Sequence, residues 1–530
     1  MGGFIKERFA LLLILIVFLV FKIPQLYFPY YGDEALFLAP GASEMYSHGI
    51  SLLPSAIHPE YGRGHPLLFQ ALCALWMHVF GTSSIALHSF CLVISAGLLI
   101  VLYEFILRLF NKSVAIICVL LLVLNTPFFI DSTFLAPDIF IAALTFGTIY
   151  FYATKRFFLA FLCLTMYFYA KESAFVLGAV LGVDALISIF KNNIPTRTKV
   201  LRFVSVFLSM ALGVLFYVIQ KKTMGWYAWP GAFSKKATLN LHHFCHWYRI
   251  CLGGLLYYEK RYLIVLPILF LSLYAAIKKR NYKYAFIFLP AVFLFILRFI
   301  DAPDIDILCA ILLVLFFVAV AISIYALRYY KYFDKNNQQK FVLLSAIFIF
   351  SYFCFFSVYN FQPRYIFSPL VLFSVLISIF FDFFIARTSV KVFIPTLIVF
   401  CSVGIYCITC EANYIDLTLF LKMKTQINLV DYFEQNQLYN KTISSNSQWC
   451  IENMTNPENG FLHSNKIFDS VTSRKNQGNS DYIIYTNSFT PFESERFDTI
   501  DYLTHKNDAS LQLVYKKENG PVWAEVYKRK

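Results

Sequence analysis

Charge is what this chain lacks. Only 14% of its 530 residues are charged and 59% are hydrophobic, whereas a soluble domain carries about 25% charged residues. That balance excludes an ordinary water-soluble fold. Also lacking are an internal repeat and a low-complexity tract. The twelve cysteines lie mostly inside apolar runs, as Cys118, Cys163 and Cys309 do, where they act as small hydrophobes. Cys245 and Cys251 share one loop, and nothing in the sequence requires them to pair. No small-x-small cleavage site follows Pro24, so the run from Leu11 to Phe21 reads as a retained first helix, not a signal peptide.

What is present is a series of long apolar runs. They predict a polytopic α-helical membrane protein of about thirteen spans. The spans are expected at 9–27, 83–109, 113–130, 137–154, 157–171, 173–190, 200–220, 261–277, 283–300, 305–327, 341–359, 366–385 and 391–410. The shorter run 66–80 is expected to lie at the membrane surface.

Basic residues support this division. With the N-terminus inside, the inner segments hold Lys6/Arg8, Arg108/Lys112, Lys155/Arg156, Lys191/Arg197/Lys199, Lys278/Lys279/Arg280, Arg328/Lys331/Lys335 and Arg387/Lys391. Each has at least two basic residues, as the positive-inside rule requires; Glu7 and Asp334 intrude, but acidic residues weigh little in it. The net charge of +14 therefore reads as topology and not as a nucleic-acid footprint. The outer segments hold Asp33-Glu34, Asp131/Asp138, Lys171-Glu172, the 221–260 loop, Asp301/Asp304/Asp306 and Gln362-Pro363-Arg364.

The pattern changes after residue 410. Residues 411–530 are rich in Asn, Ser, Lys and Glu, with strand-like runs at 481–485, 511–515 and 522–527. They read as a small soluble α/β domain, placed outside by the odd number of spans. Residues 1–410 form the transmembrane domain, whose outer loop 28–82 carries the acidic motif.

Ionisable groups at the membrane edge are costly, and so are functional candidates by default. Asp33 and Glu34 directly follow the first span, and Arg63 and His65 follow within the same loop. Moving a sugar from a lipid phosphate needs a carboxylate to accept the acceptor's proton and cations to hold the departing phosphate. Asp33 suits the first role, and Arg63, His65, Lys171 and Arg364 suit the second. Structural readings stand beside these. Asp33 and Asp138 suit helix N-termini as caps, while Lys171 and Arg364 suit snorkelling or interfacial anchoring.

The motifs resemble those of the GT-C membrane glycosyltransferases, particularly protein O-mannosyltransferases and the lipid A aminoarabinose transferase. The residues that carry this resemblance are Gly32-Asp33-Glu34, His65-Pro66-Leu67-Leu68, Phe80-Gly81-Thr82-Ser83, Ala136-Pro137-Asp138, Lys171-Glu172-Ser173-Ala174 and Pro363-Arg364-Tyr365. It is closest over residues 9–190. The resemblance implies transfer, with inversion, of a sugar from a polyprenyl-phosphate donor to a lipid, glycan or protein acceptor. It implies Asp33 as base, Glu34 and Asp138 as further acidic residues of the pocket, and donor-phosphate binding by His65, Arg63, Lys171, Arg364 and Tyr365. The family's usual Arg near the start of the second span is replaced here by His88. The expected location is the bacterial inner membrane, with the site on the extracytoplasmic face and membrane lipids as neighbours.

The alternatives are a lipid-linked oligosaccharide transferase, a transporter or flippase, and a scaffold with a partner-binding outer domain. Against the first, the chain has no Trp-Trp-Asp segment. Against the second, no duplicated halves are visible and the polar residues gather in outer loops. A scaffold leaves the first loop unexplained. No metal or cofactor is indicated. His242 and His246 have i,i+4 spacing, but their Trp-flanked segment reads as an interfacial helix. Asp301, Asp304 and Asp306 read as a solvated loop.

Overall fold

The computed structural model describes residues 2–227, 241–256, 336–359, 363–385, 418–464, 466–473, 480–487 and 508–530, together with Tyr502 and Lys506. The spans expected at 261–277, 283–300, 305–327 and 391–410, and the Asp301–Asp306 loop, lie outside the described residues.

The first helix, α1 (Gly2–Lys22), continues as a 3-10 turn, Ile23–Tyr27. Pro24 sits in its first turn, where a missing N–H is tolerated. The outer loop then folds into short pieces: a π-helical turn (Glu34–Leu38), α2 (Ala39–His48), α3 (Pro59–Gly62) and α4 (Leu68–Phe80). The 66–80 run is thus helical, with Leu75, Val79 and Phe80 more than half exposed.

The bundle follows as α5 (Ser84–Leu109), α6 (Lys112–Val123), α7 (Thr126–Asp131), α8 (Asp138–Ala153), α9 (Phe157–Ala170), α10 (Ala174–Ile189) and α11 (Thr196–Met224). After them come α12 (Leu241–Leu256), α13 (Asn336–Tyr359) and α14 (Phe367–Ile385). Among the described residues, Arg8–Tyr27, Ser84–Leu109, Thr196–Met224 and Asn336–Val358 are long and apolar enough to cross a membrane. With six shorter apolar helices beside them, the chain is an integral membrane protein.

The run expected as one span at 113–130 breaks at Leu124-Asn125, and Pro127 restarts it as α7. α12 does more than lie at an interface. It buries Tyr248, Cys251 and Leu255, and Tyr248 meets Phe350 and Phe353 of α13 edge-on. Cys251 is a free, buried thiol.

α8 is buried on nearly all sides and forms the middle of the bundle. At one end, Arg8 binds Glu104 through Nε at 2.5 Å and through a second nitrogen at 2.9 Å, and Arg108 lies 3.7 Å from the same carboxylate. Asp184 accepts bonds from Tyr152 and Lys340 at 2.7 and 2.8 Å, with Arg202 3.7 Å away. These contacts tie α8, α10, α11 and α13 together with paired charge, the form in which charge survives burial.

Beyond the bundle, α15 (Thr418–Gln435) packs on a five-stranded sheet of order β2-β1-β3-β5-β4. The strands are β1 (Thr442–Ser445), β2 (Ser470–Ser473), β3 (Tyr482–Thr486), β4 (Leu511–Asn519) and β5 (Val522–Arg529). β1 runs parallel to β2 and β3, while β3–β5 and β4–β5 are antiparallel. Gly520, at φ +60°, turns the β4–β5 hairpin. α16 (Gln448–Thr455) follows β1.

This α/β unit docks on the outer loop after α1. Trp449 stacks on Tyr31 at 5.8 Å, Phe420 on Phe28 at 5.8 Å, and the Tyr30 N–H donates to the Asn459 carbonyl at 2.9 Å.

Candidate functional site

The loop after α1 brings two adjacent carboxylates to different places. Asp33 is partly exposed and precedes the π-helical turn, but its side chain makes no cap hydrogen bond there. The capping account of Asp33 therefore loses its contact. Glu34 is completely buried. One of its oxygens accepts the Tyr31 N–H at 2.9 Å, and the other accepts the Leu135 N–H.

His88 completes that buried group. Its Nδ1 faces the Leu26 carbonyl at 3.2 Å, so that nitrogen carries the donated proton. Nε2 lies 3.3 Å from Glu34 Oε1, without hydrogen-bond alignment. The ring of Tyr30 meets His88 edge-on at 5.5 Å. Glu34 thereby joins the Asp33 loop to the segment leading into Asp138.

Asp138 opens α8 and is 7% exposed. It lines a narrow cleft with Lys171, Ser173, Tyr352, Tyr365 and Ser368. Lys171, in extended backbone at the end of α9, holds its Nζ 5.6 Å from the centre of the Tyr365 ring. Tyr365 rests on Phe356 at 4.7 Å. Arg364 lies in the 3-10 turn Pro363–Ile366, and its side chain is outside the described residues.

His65 reaches the same group from the outer loop. Its N–H donates to the Gly62 carbonyl at 2.9 Å, and its Nδ1 lies 3.0 Å from Glu172 Oε2. Lys171 Nζ is 4.0 Å from the other Glu172 oxygen. Burial pushes the Glu172 carboxyl up, but the charges of His65 and Lys171 and the His65 hydrogen bond outweigh it. The carboxyl is held well below the usual range.

Arg63 stands slightly apart. It adopts the left-handed conformation at φ +48°, ahead of Gly64 at +75°, and its guanidinium lies over the Phe37 ring at 3.1 Å.

Of the residues singled out from sequence, Asp138, Lys171 and Tyr365 line one cleft, with His65 joined to Lys171 through Glu172. Arg63 packs instead on the turn that follows Asp33, and Glu34 is enclosed. Glu172 stands in the Lys171-Glu172-Ser173-Ala174 motif, but the sequence reading gives it no site role. Its signal was its position beside Lys171 in an outer loop, where a basic neighbour invites a paired carboxylate.

Asp431, Glu434 and His463 lie close enough to share a cation. However, Glu434 already accepts the His463 and Ser464 N–H groups at 3.0 and 3.1 Å and the Ser464 hydroxyl at 2.7 Å. His463 Nε2 lies 2.9 Å from Asp431 Oδ1, and the bonds to Glu434 make the group a loop clamp. The side chain of His242 lies outside the described residues.

These features define a polytopic membrane protein whose acidic and basic loop residues meet around the start of α8. Its fold is similar to that of ArnT. ArnT from Cupriavidus metallidurans in the apo state matches 97% of this chain and 97% of its own, with a TM-score of 0.52 at 12% identity. The same protein bound to undecaprenyl phosphate matches 98% of each chain, with a TM-score of 0.48 at 13% identity. No family model matches the sequence, and no curated protein does.

Proposed function

We propose that the chain is a membrane glycosyltransferase that moves a sugar, with inversion, from a polyprenyl-phosphate donor to an acceptor. The observation that carries this reading is the convergence of His65, Lys171 and Asp138 from three loops, next to the loop that presents Asp33, in a chain with the GT-C fold. The ArnT fold, found at low identity, supports the class and not the substrate.

Asp33 takes the proton of the acceptor's hydroxyl or amine. The freed lone pair attacks the anomeric carbon as the bond to the phosphate oxygen breaks on the opposite side. Lys171 and His65 stabilise the charge that develops on the departing phosphate, with Arg364 and Arg63 contributing cations from neighbouring segments. Asp138 and Tyr365 shape the pocket beside Lys171. Glu34 holds the two acid-bearing loops in register.

In this reading residues 1–410 are the catalytic membrane domain and residues 411–530 an extracytoplasmic α/β domain. The site faces outward from a bacterial inner membrane. The test uses the purified full chain, a panel of radiolabelled polyprenyl-phosphate sugars and a membrane extract as acceptor source. Transfer of label from one donor is expected; absence of binding and transfer with every donor would remove the proposal.

A further inference from the structure

A second space lies between the outer loop and the α/β unit. It has a volume of about 220 Å³ and is walled by Tyr30 and Ala35, by Ser43 of α2, by Thr82 before α5, and by Glu458 and Asn459. That is below the roughly 300–1,000 Å³ of drug-sized pockets, so the space suits a small unit of a ligand and not a large one. The wall is held together by the Tyr30 N–H bond to Asn459, and by Gly460, whose φ of +79° lets the Pro457–Asn459 turn approach Pro29.

The chemistry of this wall differs from that around Lys171. Among the described residues that line it, none is cationic. It offers the hydroxyls of Ser43 and Thr82, the amide of Asn459, the carboxylate of Glu458 and an aromatic ring. A phosphate placed there would meet a carboxylate and no cation, and would lose its hydration without repayment. A neutral ligand with many hydroxyls would find hydrogen-bond partners and an aromatic surface.

The space also adjoins the acidic loop. Ala35 lies two residues after Asp33, and the Tyr30 ring that forms one wall meets His88, the neighbour of Glu34. We infer that this cleft binds the acceptor, and that the acceptor's bound portion is a neutral saccharide. The inference rests on the glycosyl-transfer reading for the word acceptor, but not for the ligand's chemistry. In the transfer step, a saccharide hydroxyl gives its proton to Asp33 and its oxygen forms the new bond to the anomeric carbon. The donor's carbon–phosphate oxygen bond breaks, and polyprenyl phosphate leaves. The α/β unit then contributes to acceptor selection through Glu458 and Asn459.

The test is photo-cross-linking of the full chain in lipid nanodiscs. The probes are neutral azidophenyl glycosides, with azidophenyl phosphate as the charged control, and labelled peptides are mapped by mass spectrometry. The expected result is glycoside labelling of the segments around 30–43, 82 and 458–459. Labelling there should fall about ten-fold in Ser43→Trp and Thr82→Trp, which fill the cleft from exposed positions. Labelling elsewhere, labelling unchanged by both variants, or labelling by the phosphate probe alone overturns the inference. Donor binding, measured separately, should weaken about ten- to a hundred-fold in Lys171→Ala, on the scale of a lost charge-assisted hydrogen bond, and remain in Ser43→Trp. Glycoside labelling of the cleft without donor binding in the parent chain would reject the donor and keep the saccharide site.

Discussion

The carboxylate of Glu34 accepts a hydrogen bond from the backbone N–H of Leu135, 101 residues further along the chain. That bond ties the loop carrying Asp33 to the segment entering α8 at Asp138. The two neighbouring acids therefore differ in setting: Glu34 is enclosed, while Asp33 remains partly exposed.

Removing the enclosed acid should unfold the protein more easily. Glu34→Ala leaves the Tyr31 and Leu135 N–H groups without their acceptor and His88 without its partner. A loss of about 2–4 kcal/mol is expected. Intrinsic fluorescence on heating in detergent checks it, with Asp33→Asn as a control that should melt with the parent. An unchanged midpoint in Glu34→Ala would contradict this role.

His65 and Glu172 should be energetically coupled, because their contact joins the outer loop to the α9–α10 connection. A double-mutant cycle with His65→Ala and Glu172→Gln should give a coupling of about 1 kcal/mol. Additive effects would mean the contact adds no stability in solution.

Acid should reveal the same pair. The folded Glu172 carboxyl lies below its ordinary value of 4.5. Its stabilising contribution is therefore complete above that unfolded value and is lost as pH falls through the lower folded value. The melting difference between the parent and Glu172→Gln should hold from about pH 7 down to about pH 5 and shrink only in stronger acid. A difference that vanished near neutral pH would show that the carboxylate is not stabilised in the folded chain.

Packing of α9 against α11 depends on Gly213. A Cβ there would lie 2.5 Å from the Phe168 ring, too close for any real contact. Gly213→Ala should lower stability by about 1–3 kcal/mol, on the scale of overpacked cores. A parent-like melting curve would show that Phe168 moves aside freely.

Much of this was legible in the sequence, for physical reasons. Charge is scarce at membrane depth, so Asp33, His65, Asp138 and Lys171 stood out against their surroundings, and the structure gathers the last three. β3, β4 and β5 were visible as β-branched and aromatic runs. β1 and β2 were not, since four-residue strands rich in Ser and Thr look like loops. The break at Asn125 carried a signal, Asn125-Thr126-Pro127, but the apolar residues on both sides made the segment read as one span. The burial of Glu34 and the docking of Trp449 on Tyr31 arise from long-range contacts that no local pattern encodes.

The most direct measurement of the central claim is single-turnover transfer from the preferred polyprenyl-phosphate sugar, comparing the parent with Asp33→Asn. The account predicts unchanged donor binding and unfolding, with a transfer rate lowered at least about a hundred-fold by loss of the general base. Transfer at the parental rate in folded Asp33→Asn protein would contradict it.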